Sequence, residues 1–96
     1  MFVYIIIHPA YPGWVKIGRS IQPKKRLENY QIYDPGRSYV IYFKRKTNKI
    51  AKIERFFVNH IESNGHEWFK ISKVLAKKII LTMVKSGNGE NAETLI

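Results

Sequence analysis

The run Phe2-Val3-Tyr4-Ile5-Ile6-Ile7 constrains this chain more than any other segment. It is rich in β-branched residues, has the length of a strand, and falls far short of the roughly 20 apolar residues that span a bilayer. Its place is the interior of a sheet. Pro9, Pro12 and Gly13 then mark a turn, and Trp14-Val15-Lys16-Ile17-Gly18 alternates apolar and polar residues. The first two strands should therefore pair as a hairpin with a loop of about six residues. The 96 residues leave room for one domain, and the absence of cysteine excludes disulfide staples, thiol catalysis and cysteine-based zinc sites. No basic segment precedes the apolar run, so no signal peptide is expected, and the chain should be soluble and cytoplasmic.

The remaining pattern alternates helices with short strands. Ser20 or Gln22 can cap a helix that has Pro23 in its first turn and runs through Tyr30, with Leu27, Tyr30 and Gln31 on one face. Asp34-Pro35-Gly36 breaks it, and Ser38 to Phe43 returns as a strand. From Thr47 or Asn48, the residues Ile50, Ile53, Phe56, Phe57, His60 and Ile61 trace an amphipathic helix to about Ser63. Glu67-Trp68-Phe69-Lys70-Ile71 has strand length, with Trp68 and Phe69 expected in the core. Ser72 caps a last helix whose apolar residues are Val74, Leu75, Ile79, Ile80 and Met83. The expected fold is α+β, a small antiparallel-dominated sheet covered by helices in the order β-β-α-β-α-β-α. The domain should span residues 1–85, with 86–96 a polar, frayed tail.

Charge gives the first functional direction. The net charge of +10 is concentrated between residues 14 and 55, where 12 Lys and Arg face 3 Asp and Glu. Aromatic residues Trp14, Tyr30, Tyr33, Tyr39, Tyr42 and Phe43 are interleaved with them. Cations for phosphates and rings for bases make a nucleic-acid footprint. The plain alternative is a solvated basic face over core aromatics. Arg19, Lys24, Lys25, Arg37, Lys44, Arg45 and Lys46 are the candidate phosphate contacts.

Few catalytic chemistries remain. The chain has a single aspartate, Asp34, which leaves no Ser/His/Asp triad, and His8, His60 and His66 lack metal-ligand spacing. Metal-assisted phosphoryl transfer is open, since it needs a carboxylate for the ion, a cation for the phosphate oxygens and a base. Tyr4 on the first strand, Lys16 on the second, Arg26 and Tyr30 on one face of the first helix and Glu54 on the second helix supply those parts. Read from composition alone, Glu54 is a surface acid paired with Lys52 or Arg55.

The order Phe2-Val3-Tyr4, Lys16-Ile17-Gly18, Arg26, Tyr30 and Glu54 resembles the GIY-YIG nuclease domain over residues 2–71. Val15-Lys16-Ile17-Gly18 and Glu67-Trp68-Phe69 are similar to a phage-rich subgroup of it. The resemblance implies a divalent-metal-dependent endonuclease of low intrinsic sequence specificity. Tyr4 would lie near the attacking water, Arg26 would stabilise the scissile phosphate, Tyr30 would position or deprotonate water, and Glu54 would hold Mg2+ or Mn2+. The partner would be nucleic acid, DNA ahead of RNA, with any site specificity supplied by a homodimer or a larger protein partner.

The sequence departs from that pattern at two motif positions. Phe2 replaces a glycine, and Lys16 stands where the family carries a tyrosine. A lysine there can bind phosphate, act as a base if desolvated, or mark lost activity. The alternative reading is accordingly a catalytically weak or inactive nucleic-acid-binding module on the same fold.

Overall fold

The computed structural model describes residues 1–65, 67–86 and 90–96. Strands β1 (Phe2–Ile7), β2 (Trp14–Ser20), β3 (Val40–Lys46) and β4 (Trp68–Lys70) form one antiparallel sheet in the order β3-β1-β2-β4. Helices α1 (Pro23–Gln31), α2 (Ile50–His60), α3 (Lys73–Ser86) and the single turn α4 (Glu90–Glu93) complete the α+β architecture. Among the described residues, no helix is long and apolar enough to cross a membrane.

The central position of β1 explains its unbroken apolar sequence. Val3 and Ile5 join Val15 and Ile17 in the main core, against Ile50, Ile53 and Phe57 of α2 and Ala76, Ile79 and Ile80 of α3. Tyr4 and Ile6 point to the opposite face and are equally buried. A strand covered on both faces loses the alternation that a half-exposed strand keeps.

Four local expectations change. The third strand begins at Val40 and runs through Lys46, so Lys44, Arg45 and Lys46 lie on the sheet edge rather than beyond it. Their side chains are exposed, as is usual for cations on an edge strand. A register shift between Ile5 and Ile6 lets the neighbours Tyr42 and Phe43 both pack against the core. Helix α2 ends at His60, where Ile61 becomes extended, and no side chain caps its start. Ser72 does cap α3, its hydroxyl accepting the Leu75 N–H at 3.1 Å, but Val74 faces solvent and Ala76 takes its place in the core. In the tail, α4 returns to pack with α3 and buries Ala92, so this described part is helical rather than frayed. His66 and residues 87–89 lie outside the described residues.

The loop after α1 is stitched by side chains. Asp34 accepts the Ser38 N–H and, at 3.1 Å, a bond from His8 Nε2. The other ring nitrogen of His8 accepts the Ala10 N–H at 3.0 Å, which leaves Nε2 as the donor to Asp34. The Gln31 amide clamps Tyr39 at both backbone groups, donating to its carbonyl at 2.7 Å and accepting its N–H at 3.1 Å. The Ser38 N–H and, after it, His8 hold the Asp34 carboxyl below the usual range, although partial desolvation opposes them. A depressed folded-state value means that this contribution is present above the unfolded value of about 3.9 and is lost as pH falls through the lower folded value. Asp34→Asn should therefore lower the melting temperature at neutral pH, and the gap from wild type should close below that carboxyl range in an acid titration.

A tyrosine–carboxylate cluster on the open face

The sheet register places the candidate residues on one face. Tyr4 pairs with Gly18 and Lys44, Ile6 with Lys16, and Lys16 in turn with Trp68. Directly paired residues share a face of a sheet. Helix α1 lies over that face and lowers Arg26 and Tyr30 onto it, because the two are one helical turn apart. Gly18 is required at its position. A Cβ there would lie 2.4 Å from the Tyr4 hydroxyl oxygen and 2.6 Å from Cζ, so the phenol occupies the space a side chain would take.

The hydroxyls form a directed chain. Tyr30 Oη lies 2.9 Å from Tyr4 Oη and 2.9 Å from Glu67 Oε2. An ionised carboxylate only accepts, so Tyr30 spends its one proton on Glu67 and receives the Tyr4 hydroxyl proton. Arg26 Nε adds a further donor to Tyr30 Oη at 3.2 Å. Lys16 Nζ lies 3.7 Å from Glu67 Oε2, and Arg26 Nη2 lies 3.9 Å from Oε1. The Lys16 ammonium also sits 4.5 Å from the Tyr30 ring centre, and the Arg26 guanidinium 5.1 Å from it. Such cation–ring contacts hold both side chains over the cluster.

Protonation follows from these neighbours. Burial, then the bond with Tyr4 and the charge of Glu67, push the Tyr30 phenol well above its ordinary range, so it remains a neutral donor. The Tyr4 and Tyr30 hydroxyls hold Arg26 still further toward its cationic form. Tyr4 is 1% exposed. Its hydroxyl is therefore held inside the cluster, beneath Tyr30 and Arg26.

Glu54 stands apart from this cluster. It belongs to α2, in the layer behind the sheet, and pairs with Arg19 Nε at 3.4 Å. It approaches the cluster around the sheet edge because β4 is short. Ile17 N–H still bonds the Glu67 carbonyl at 3.0 Å, but among the described residues no strand continues along Gly18–Ser20 on that side. Glu54 and Glu67 consequently line one cleft of about 100 Å³ with Ile17, Val58 and Phe69. Among the described residues no three His, Cys, Asp or Glu gather as a ready cation cage.

The candidate phosphate contacts are dispersed. Lys44 and Lys46 share the face of Tyr4 and Phe2, whereas Arg45 pairs with Val3 and points to the other face. Lys24 and Lys25 are exposed on the first turn of α1, Arg37 lies in the stitched loop with φ of 48°, and Arg19 is committed to Glu54. His60 is a helix-surface residue, 4.4 Å from the Phe56 ring and 3.6 Å from Glu93.

Sequence reasoning missed Glu67 as a site residue and misplaced Trp68. Phe69 is buried in the core as expected, while Trp68, on the other face of the same strand, lines a surface cleft. Their opposite faces follow from the pairing of Trp68 with Lys16, which a strand of three residues does not announce in its sequence.

Fold and site together define a small α+β domain with a cationic tyrosine–carboxylate cluster on the open face of its sheet. The chain belongs to the T5orf172 domain family, whose model matches residues 1–84. No curated protein and no solved structure matches it.

Proposed function

We propose that this protein is a nuclease that hydrolyses phosphodiester bonds in nucleic acid with a divalent ion, as the likeness to GIY-YIG domains implies. The observation that carries the reading is the convergence of Lys16 of β2 and of Arg26 and Tyr30 of α1 on the single carboxylate of Glu67, with Tyr4 of β1 bonded behind Tyr30. Two basic side chains beside an acceptor-only group suit a reaction that gathers negative charge on phosphate while removing a proton from water.

In this reading Lys16 and Arg26 bind the phosphate oxygens. Glu67 takes the proton of the attacking water, and Tyr30, backed by Tyr4, fixes the carboxylate's orientation. Glu54 and Glu67 fit a magnesium or manganese ion by donor type, because such ions are commonly held by one or two carboxylates together with water and substrate phosphate. The ion would supply Lewis-acid stabilisation of the phosphate.

Purified protein incubated with labelled single- and double-stranded DNA and RNA should cleave with magnesium or manganese and not with EDTA. Binding without cleavage under every metal would replace this reading with that of a binding module. A salt titration tests the surface. Lys44→Gln combined with Lys46→Gln should flatten the slope of log K against log salt by about 2, and Arg45→Gln should leave it nearly unchanged, since only the first two share the site's face.

A further inference from the structure

An aromatic basin adjoins the cluster. His8, Tyr11, Trp68 and Tyr39 form a closed circuit of rings, with centres 5.2 Å apart for His8–Tyr11, 5.3 Å for Tyr11–Trp68, 6.4 Å for Trp68–Tyr39 and 4.6 Å for Tyr39–His8. Tyr11, Trp14, Tyr39, Asn64 and Trp68 line a cleft of about 310 Å³, within the range of small-molecule sites. The chain has two tryptophans, and both line this cleft instead of filling the core. The basin is held open by polar bonds made elsewhere: the Gln31 amide grips the Tyr39 backbone, and Asp34 anchors His8 and Ser38.

We propose that this basin seats one unpaired nucleobase, so that the preferred nucleic acid is single-stranded or locally unpaired beside the phosphate held by Lys16 and Arg26; the proposal rests on the nucleic-acid reading above. Flat π faces recognise bases of any sequence by stacking, and a cation beside them holds the attached phosphate. The distances match such a nucleotide-scale arrangement. Lys16 Nζ lies 5.3 Å from the Trp68 ring centre, and Tyr30 of the cluster lies 5.8 Å from Tyr39 of the basin, ring to ring. Basin and cluster are thus direct neighbours, Tyr30 beside Tyr39 and Lys16 beside Trp68. The strongly positive chain supplies the complementary charge for a polyanion. A base inside a duplex is already stacked on both sides and must be extruded at a cost before it can enter, whereas a single strand pays little.

Because both tryptophans line the cleft, intrinsic fluorescence reports on it directly. Thymidine and uridine oligonucleotides, each single-stranded and annealed to its complement, should be titrated at low and raised salt without added metal. The expected result is saturable quenching by one or both single strands, retained at raised salt better than duplex binding. Tyr39→Ala and Tyr11→Ala should each weaken single-strand affinity by roughly 5- to 100-fold, the range for losing one base–ring stack, and leave duplex affinity within about twofold. The Tyr11 side chain is half exposed and the Tyr39 clamp uses backbone atoms, so both variants should retain the wild-type circular dichroism spectrum. Unchanged single-strand affinity in both variants, or duplex binding with no single-strand quenching, would overturn the base seat while leaving the nuclease reading in place. Failure to bind any nucleic acid at low salt would remove both.

Discussion

Glu54→Gln protein is expected to cleave about 10²- to 10³-fold more slowly than wild type while binding nucleic acid within about twofold, the loss typical of removing one electrostatic stabiliser. The substitution preserves volume and removes charge at a partly exposed position, so the fold should survive it. Its ion pair with Arg19 is a surface contact of small worth. Glu67→Gln provides the informative comparison. An amide oxygen can still accept the Tyr30 proton, but it is a poor proton acceptor and no longer attracts Lys16 and Arg26. That variant should also lose cleavage, yet bind nucleic acid at least as tightly as wild type, because a negative charge beside the phosphate is gone. Wild-type cleavage by Glu54→Gln, measured as single-turnover rate with saturating protein, would refute the assignment of that carboxylate.

Gly18→Ala is expected to be the most damaging small substitution on the open face. A methyl group would meet the ring of a fully buried tyrosine at contacts far inside van der Waals separation. Overpacking of this kind costs about 1–3 kcal/mol, and each kcal/mol should lower the melting temperature of a domain this size by roughly 4–8 °C. Cleavage should fall further than stability, because the displaced Tyr4 hydroxyl is the one that orients Tyr30. Combining Gly18→Ala with Tyr4→Leu tests the cause. If the clash dominates, the double variant is less destabilised than the sum of the two single changes. Strict additivity in thermal or urea unfolding would place the penalty elsewhere.

Much of this architecture was legible from local pattern. The apolar first strand, the hairpin, the proline-started helix and the α+β order follow from periodicity and turn residues, and Arg26 and Tyr30 share one face of α1 as their four-residue spacing implied. What escaped depends on contacts between distant segments. Glu67 precedes a three-residue strand, too short to display a period, and acquires its neighbours only when that strand pairs with β2. The separation of Glu54 from the tyrosines had the same origin, since its helix lies behind the sheet and meets Glu67 only around an edge whose length no local signal sets. Lys44 and Arg45 are adjacent in sequence but point to opposite faces, a distinction that required the strand's true boundary.

The exposed cations along β3 have a consequence for assembly. That strand occupies one border of the sheet, with backbone groups available to a second copy, and Lys44, Arg45 and Lys46 set up mutual repulsion between any two borders brought together. A bound polyanion neutralises the same charges. If the proposed binding to nucleic acid holds, dispersal of the free protein and crowding of the bound protein along a strand would be opposite settings of one electrostatic balance, set by the ratio of protein to nucleic acid.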